Sequence, residues 1–323
     1  MLAAGDRVAV SVPASSANLG PGFDAVGLGL GLREEYAVHV TSTPGLVVTL
    51  AGEGAEELAT DETHLVARAL RTALEVCGVD WVDGLGERGL GLELECRNGI
   101  PMSAGLGSSA AALVGGLALG FALVRGGSLT DDDLTLVNTH AGIAEGHPDN
   151  SSASVYGGMT VSWMPSPTTV RTACLTVHEG IEPLVLLPAA TRLSTSTARG
   201  VLPPVVARAD AIEQAAKAAL LTHAMTTDPT LLLDATQDRL HQEQRRGVYP
   251  ESMGVVDELR SLGHAAVISG AGPAVLVLAR TAVADAVVAE VRSWGRTWPA
   301  SKSSTRTRAR MPWRVRGAPS GPV

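Results

Sequence analysis

A glycine- and serine-rich stretch at residues 101–112, PMSAGLGSSAAA, is the segment of this chain best suited to bind an anion. Gly105 and Gly107 permit backbone conformations that side chains forbid, and they let a ligand approach the main chain. Ser108 and Ser109 stand where a helix would begin, and the first N–H groups and the dipole of a helix attract negative charge. The stretch predicts a phosphate-binding loop, although a tightly packed helix start without any ligand would show the same residues.

The segments on either side predict the elements that hold this loop. Apolar residues at 90, 92, 94 and 96 alternate with glycine or charged residues, as in a half-buried strand. Ala110–Val124 is rich in alanine and leucine and contains neither proline nor charge, which predicts a packed helix. The charge-free run from Ala104 is roughly 21 residues long, enough for a membrane span. Its glycine- and serine-rich first turn favours a buried core helix instead.

Two common phosphate-binding motifs do not fit. A Walker loop places a lysine directly after its last glycine. The two lysines of this chain, Lys217 and Lys302, lie far from the loop in sequence. No G-x-G-x-x-G opens an early strand–helix–strand unit, so a Rossmann nucleotide site is excluded as well.

Spacing of apolar residues outlines the rest of the chain. It predicts strands at 8–12 and 184–188, and strand pairs over 35–50 that are broken at Pro44–Gly45. It predicts helices at 63–77, 205–225 and 253–262, a helix start at 131–134, and a strand–turn–strand over 265–279. The segment 13–32 has so many Gly, Ser and Asn residues that a long turn is one interpretation. Asn18 and Asp24, polar residues between apolar ones, argue against that interpretation.

Three segments resemble the signature motifs of the GHMP kinases. P-x-x-x-G-L-G-S-S-A-A at 101–111 resembles their second motif, and S-G-A-G-P at 269–273 their third. V-P-A-S-S-A-N-L-G-P-G-F-D at 12–24 is similar to the first motif of the homoserine kinases, and E-G-H-P-D-N at 145–150, followed by Y-G-G, matches the same group. The resemblance covers nearly residues 7–280.

The resemblance implies an α+β chain with the GHMP kinase fold. A ribosomal-protein-S5-like N-terminal domain is expected over 1–165 and a ferredoxin-like C-terminal domain over 166–300. A basic tail follows at 301–323, with six basic residues and no acidic one, and composition predicts that it is mobile. The implied activity is ATP-dependent phosphorylation of L-homoserine to O-phospho-L-homoserine, a step towards threonine.

ATP and Mg²⁺ are the cofactors that the resemblance implies. Mg²⁺ would be held by Ser109, with Ser108 as the close alternative, and by Glu145. His64 stands where homoserine kinases often have an asparagine that approaches the nucleotide base of ATP. The residues expected to contact ATP are Pro101, Met102, Ser103, Ala104, Gly105, Leu106, Gly107, Ser108, Ser109, Ala110, Ala111, His64, Gly270 and Gly272.

The resemblance also implies the amino-acid site. Arg199 and Arg245 match the carboxylate-binding arginines of the family, and a planar guanidinium suits a carboxylate. Thr195 would contribute a hydroxyl, and Asp24 would pair with the ammonium group. The substrate hydroxyl or carboxylate would be oriented by Asn18, His147 and Asn150. The expected catalytic residues are Asp24, as the candidate base, Asn18 and Asn150; direct attack by the substrate hydroxyl without a protein base is the alternative.

Composition limits the function classes. The net charge of −8 argues against a nucleic-acid surface, and 45% apolar residues indicate a globular chain. Three widely spaced cysteines and the lack of a recognisable secretory signal predict a cytoplasmic protein without a membrane partner. A homodimer is expected only by analogy. A kinase for a mevalonate-type alcohol and a non-catalytic relative that keeps the fold are the rival interpretations.

Overall fold

The computed structural model describes residues 2–80, 83–86, 88–188, 195–294 and 316–317. Its strands are β1 (Arg7–Asn18), β2 (Gly22–Thr41), β3 (Gly45–Gly52), β4 (Gly91–Asn98), β5 (Met159–Ser166), β6 (Thr169–Leu175), β7 (Ile181–Leu186), β8 (Ala266–Ile268), β9 (Val275–Arg280) and β10 (Arg316–Gly317). Its α-helices are α1 (Leu65–Val76), α2 (Asp83–Gly86), α3 (Ser108–Val124), α4 (Asp131–Glu145), α5 (Asp149–Tyr156), α6 (Thr195–Gly200), α7 (Arg208–Thr226), α8 (Leu232–Ala235), α9 (Pro250–Ser261) and α10 (Ala284–Ser293).

The strands form one seven-stranded and one three-stranded sheet. In the larger sheet the order is β10-β1-β2-β4-β3, and β5 pairs with β2 and with β6. The β3–β4 pair is parallel, whereas the other pairs of this sheet are antiparallel. The smaller sheet has the antiparallel order β7-β9-β8. The predicted combination of helices and strands in an α+β chain is confirmed.

The strand and helix predicted around the glycine loop are confirmed. In β4, Leu92, Leu94 and Cys96 are buried, while Glu93 and Glu95 between them are exposed. The helix α3 begins at Ser108 and is buried along nearly its whole length, from Ala110 to Leu123. Strand, loop and helix therefore follow one another as the apolar pattern predicts.

The helix α3 occupies the centre of the larger hydrophobic core. The apolar face of α1, with Leu70 and Leu74 fully buried, packs in the same core. Leu221 and Leu276 from the second half of the chain belong to it as well, so the core is continuous across both halves. Among the helices that the structure describes, none is both long and apolar enough to cross a membrane. The interpretation of 104–124 as a buried helix is confirmed.

The second half of the chain has a smaller core of its own. It lies between the three-stranded sheet and the helices α9 and α10, with Leu259, Val275 and Val287 at its centre. The strand–turn–strand predicted for 265–279 is confirmed by β8 and β9. The helix predicted at 205–225 is α7, residues 208–226, and the helix predicted at 253–262 is α9, residues 250–261.

The structure corrects three details of the sequence-based interpretation. The stretch 13–18 continues strand β1, and β2 starts again at Gly22, so a long turn is wrong for most of the segment 13–32. The strand β3 pairs with β4 and not with β2, from which Pro44 separates it. The cap of α4 is Thr130, which accepts a hydrogen bond from the Asp133 N–H in a capping box.

The domain limits stay predictions. The expected boundary at 165/166 falls within β5, directly before Ser166, which is the last residue of that strand. Of the basic tail at 301–323, only Arg316–Gly317 belongs to the described residues; these two pair with Val8 and Ala9 of β1.

Candidate active site

A cleft of about 450 Å³ lies where the predicted motifs meet. The first motif contributes to it from the end of β1, and the glycine loop contributes the start of α3. The segment between α4 and α5 and the turn between β8 and β9 complete it, together with two arginines. The lining residues are Ala17, Asn18, Phe23, Asp24, Pro101, Ser103, Ala104, Gly105, Leu106, Gly107, Ser108, Ser109, Ala110, Ala144, Glu145, His147, Asp149, Asn150, Arg199, Arg245, Gly270, Ala271 and Gly272.

The glycine loop is shaped as a cradle at the N-terminus of α3. Gly107 is the N-cap of this 17-residue helix and has a left-handed φ of 68°. Gly105 also has a positive φ, of 83°, and a Cβ atom there would lie 2.3 Å from the carbonyl oxygen of Ser269. A side chain is therefore excluded at Gly105 by backbone conformation and by space. The free N–H groups of the first turn of α3 open into the cleft, where they can bind an anion.

The turn between β8 and β9 supports this loop from the other half of the chain. The Ser269 hydroxyl donates a hydrogen bond to the carbonyl of Gly105 at 2.6 Å. The N–H of Ala274 donates to the carbonyl of Ala104 at 2.9 Å, and the N–H of Gly270 donates to that of Ala17. The third motif therefore packs beside the glycine loop.

The two serines of the loop have different partners. The Ser109 hydroxyl donates to a carboxylate oxygen of Glu145, which is the last residue of α4, at 2.8 Å. Burial raises the pKa of Glu145 despite this hydrogen bond. The Ser108 hydroxyl instead bonds to Glu34 of β2. Ser109 and Glu145 thus present two hard oxygen atoms side by side, the ligand type that Mg²⁺ prefers.

Glu34 is a buried carboxyl group that sequence reasoning missed. It is 1% exposed and accepts hydrogen bonds from the N–H groups of Gly99 (2.7 Å) and Ile100, besides the Ser108 hydroxyl. Burial raises the pKa of Glu34 to about 7. The alternation of buried and exposed residues along β2 could have predicted it. Glu34 lies on the same face of the strand as the buried Tyr36, Val38 and Val40.

The raised pKa of Glu34 predicts a loss of stability with increasing pH. The folded chain retains this proton up to about pH 7, whereas the unfolded chain releases it near 4.5, so the free energy of unfolding should fall between these values. For this group the fall should be roughly 2–3 kcal/mol between pH 5 and pH 8. Glu34→Gln should remove it. Urea unfolding at both pH values measures the difference, with Glu35→Gln, at the exposed neighbouring position, as the control. Equal pH dependence in wild type and Glu34→Gln would contradict the prediction.

His147 is held by a carboxylate that sequence reasoning did not assign to the site. Nδ1 of His147 lies 2.7 Å from Oδ1 of Asp149, which also accepts the N–H of Asn150 at 2.7 Å. Burial disfavours the charged imidazole, but the hydrogen bond and the charge of Asp149 outweigh it and raise the pKa of His147. Asp149 is buried, and its carboxylate lies within 4.8 Å of ligand atoms of both His147 and Asp24.

The side chain of Asn18 is engaged by its surroundings. Its Oδ1 accepts the N–H of Asp24 at 3.0 Å, and its Nδ2 donates to the carbonyl of Gly270 at 3.0 Å. Asn18 and Asp24 both have left-handed φ values, 72° and 56°. Asn18 therefore fixes the backbone that carries Asp24 and ties it to the β8–β9 turn. The amide oxygen of Asn150 accepts the Ser15 hydroxyl at 3.0 Å, next to Gly107.

The two arginines have different electrostatic environments. Arg199 of α6 forms a bidentate ion pair with Asp24, with N···O distances of 2.6 and 3.1 Å. Arg245 is 2% exposed, and Nε donates to the carbonyl of Ala198 at 2.8 Å. No carboxylate in the described part of the chain forms an ion pair with Arg245. Burial lowers the pKa of its guanidinium. A buried guanidinium without a carboxylate partner favours an anionic ligand.

Phe23 lies beneath both guanidinium groups. The Cζ atoms of Arg199 and Arg245 are 5.7 and 5.4 Å from the centroid of its ring. Such distances allow cation–π attraction. Sequence analysis did not predict Phe23 as a site residue, although it is one of only two phenylalanines in the chain.

Three of the predicted site residues, Ala111, Met102 and His64, are not among the described residues that line the cleft. Ala111 is fully buried in the core, and the side chain of Met102 packs against Gly54. His64 is 5% exposed at the N-cap of α1, and its Nδ1 has no hydrogen-bond partner among the described residues. Burial lowers the pKa of His64. Thr195 begins α6, but its side chain lies outside the described residues.

Comparisons with known proteins agree with the motifs. The family model for the GHMP kinases N terminal domain matches residues 64–158, and the model for GHMP kinases C terminal matches 215–297. The homoserine kinase of Streptomyces avermitilis is 48% identical over 297 residues, 92% of each chain. That of Streptomyces coelicolor is 47% identical over 295 residues, 91% of each chain.

A solved structure shares the fold. The crystal structure of homoserine kinase from Cytophaga hutchinsonii superposes with a TM-score of 0.79 at 23% identity, over 98% of this chain and 99% of the other. The motifs and their arrangement around one cleft lead to the same conclusion as the 47–48% identity to the two Streptomyces proteins over nine-tenths of the chain. The chain belongs to the GHMP kinase family, within its group of homoserine kinases.

Proposed function

We propose that this chain transfers the γ-phosphoryl group of ATP to the side-chain hydroxyl of L-homoserine, yielding ADP and O-phospho-L-homoserine for threonine synthesis. The observation that carries the proposal is a single cleft lined both by an anion cradle and by the charged residues Asp24, Arg199 and Arg245. A nucleoside triphosphate suits the cradle, and a zwitterionic amino acid suits the opposite charges of the three charged residues.

The backbone of the glycine loop, from Gly105 to Ser109, would wrap the phosphates of ATP. Ser109 and Glu145 fit the requirements for Mg²⁺, since their oxygen atoms are adjacent and both face the cleft. When bound, Mg²⁺ neutralises charge on the phosphates. Gly270 and Gly272 line the cleft beside the loop and support its shape from the C-terminal half.

The charged residues of the cleft would bind the amino-acid part of the substrate. Arg199 and Arg245 offer planar donors to its carboxylate, and Asp24 offers an acceptor to its ammonium group. His147 and Asn150 also line the cleft and would orient the hydroxyl. Asn18 acts on the substrate through Asp24, whose N–H it binds. Thr195 remains a candidate hydroxyl contact.

Phosphoryl transfer depends chiefly on alignment and electrostatic stabilisation, because its transition state is loose. The substrate hydroxyl attacks the γ-phosphorus as the bond to the β,γ-bridging oxygen breaks, and the hydroxyl proton leaves. Asp24 is the candidate acceptor for that proton. Release of the proton to bulk water without a protein base is the alternative.

Asp24→Asn tests this role. The substitution removes the partner of the ammonium group and the candidate base, so kcat/KM for L-homoserine should fall at least tenfold. The KM for ATP should stay within twofold, since Asp24 binds Asn18 and Arg199, with no hydrogen bond to the glycine loop among the described residues. Steady-state ADP release measures both values. Full turnover in the variant would exclude Asp24 as base and as ammonium partner.

The proposed reaction is tested by ADP release from Mg-ATP with L-homoserine, D-homoserine, L-serine, mevalonate or no acceptor. Turnover selective for L-homoserine is the expected result. Turnover with mevalonate alone would favour the rival alcohol kinase, which the carboxylate-binding arginines would also permit. Protection of the chain by ATP against thermal unfolding, without turnover of any acceptor, would favour a non-catalytic relative.

We further propose Mg²⁺ as the metal, the cytoplasm as the compartment, and neither nucleic acid nor membrane as a partner. Cys77, Cys96 and Cys174 are widely spaced in the sequence and form no CxxC motif, which supports a reducing compartment. A homodimer remains the expectation by analogy, and light scattering of the purified chain would test it.

A further inference from the structure

His241 is a fully buried imidazole, four residues before Arg245. The segment that carries it is fixed by Asp238, whose carboxylate accepts the N–H groups of Leu240, His241 and Gln242 at 2.8–3.1 Å. Asp238 itself is fully buried. This turn gives His241 one orientation relative to the two groups that it contacts.

The contacts of His241 select one neutral tautomer. Its Nε2 lies 2.8 Å from the carbonyl oxygen of Gly20, which can only accept, so Nε2 carries the proton. Its Nδ1 lies 3.2 Å from Nη1 of Arg245, which can only donate, so Nδ1 carries the lone pair. Burial lowers the pKa of His241. The charged groups that face the ring are Asp238, with Oδ1 3.6 Å from Nε2, Arg245 and Asp24.

The face of the same imidazole supports Phe23. The two rings are stacked with centroids 5.0 Å apart and an interplanar angle of 20°. Phe23 in turn lies beneath Arg245. The guanidinium of Arg245 is therefore held by a ring nitrogen, a carbonyl oxygen of Ala198 and an aromatic face, all of which are uncharged.

Resting on the proposed function, we infer that His241 is a positioning residue of the carboxylate site. It orients Arg245 with a neutral acceptor and thereby leaves the positive charge of Arg245 available to the substrate. A carboxylate in place of this imidazole would compete with the substrate for that charge. A purely structural role would make His241 important for folding without any preference between the two substrates of the reaction.

Two substitutions distinguish the role of Nδ1 of His241 from that of Nε2. In His241→Asn the side-chain oxygen takes the position of Nδ1 and retains the acceptor for Arg245, whereas in His241→Gln the amide takes the position of Nε2 and retains the contact with Gly20. We expect His241→Gln to raise the KM for L-homoserine about tenfold, the effect of one lost hydrogen bond to a charged group. His241→Asn should raise it less than about threefold. The KM for ATP should stay within twofold in both variants.

A double-variant cycle tests whether His241 acts through Arg245. Introduced into Arg245→Lys, whose ammonium group cannot keep the same geometry, His241→Gln should change the KM for L-homoserine less than twofold further. A tenfold further change, equal effects of the asparagine and glutamine variants, or parallel changes in the KM for ATP would each overturn the inference.

A measurement on the unaltered chain covers the case in which these buried variants do not fold. The ¹⁵N spectrum of histidine-labelled protein at pH 7 should show the neutral tautomer of His241 with Nε2 protonated, and a charged imidazolium would overturn the inference. The kinetics of the wild-type chain distinguish a failure of the proposed function from a failure of the inference about His241. If wild type does not turn over L-homoserine, the proposed function is wrong and the inference falls with it; if it does, the variants decide the inference alone.

Discussion

Replacing Glu145 with glutamine is expected to lower kcat for ADP release about a thousandfold, equivalent to about 4 kcal/mol of activation free energy. Glutamine keeps the shape of the side chain and can still accept the hydrogen bond from Ser109, so the geometry of the cleft should persist. What is lost is the negative charge beside the glycine loop. The Mg²⁺ that we propose Glu145 holds would contribute several kcal/mol to the stabilisation of transition-state charge.

The measurement is ADP release at saturating ATP and L-homoserine over a range of Mg²⁺ concentrations. Higher Mg²⁺ should recover part of the lost rate if the variant binds the ion weakly. Asp132→Asn is a matched control, since Asp132 is an exposed acidic residue on the same helix, α4. Normal kcat and normal Mg²⁺ dependence in Glu145→Gln would exclude Glu145 as a magnesium ligand.

Replacing Arg199 with alanine should raise the KM for L-homoserine about a hundredfold, equivalent to about 2.7 kcal/mol. Two charge-assisted hydrogen bonds to the substrate carboxylate are removed, and such bonds are about twice as strong as neutral ones. Asp24 also loses the bidentate partner that holds its carboxylate in place. The charge and orientation of the amino-acid site thus change together.

This prediction is specific to one substrate. The KM for ATP should stay within twofold, because the side chain of Arg199 binds Asp24, with no hydrogen bond to the glycine loop among the described residues. Arg208→Ala, which removes an exposed arginine at the start of α7, should leave both constants unchanged. An equal rise of both constants in Arg199→Ala would indicate general damage to the cleft and contradict the assignment.

Local patterns predicted the parts of the site that are local in sequence. The order of strand, glycine loop and helix around 101–112 follows from apolar spacing and from the properties of glycine, and the structure confirms it. Local patterns alone do not distinguish Ser109 from Ser108, and the expectation that Ser109 holds Mg²⁺ came from the family resemblance. In the structure the two serines differ in their partners, Glu145 and Glu34, which approach the loop from α4 and β2, far from it in sequence.

Ion pairs between segments that are far apart in the chain could not be predicted from the sequence either. Asp24 and Arg199 are 175 positions apart, and their ion pair depends on how α6 lies against the end of β1. The contacts of Arg245 with Phe23 and Ala198 require three separate segments to meet. That Asn18 acts on the substrate stays a prediction; in the structure its amide groups bind Asp24 and Gly270, and this positions Asp24.

The Asp24–Arg199 ion pair has a consequence for selectivity. The free cleft already contains one positive and one negative group that satisfy each other, so a bound amino acid must exchange partners with both. A zwitterion can do this without leaving either group uncompensated. A hydroxy acid would engage Arg199 and leave Asp24 without a counterion, and an amino alcohol would do the reverse. Leaving a charged, partly desolvated group unpaired costs 1–3 kcal/mol or more. The Asp24–Arg199 contact would therefore discriminate against acceptors with a single charge.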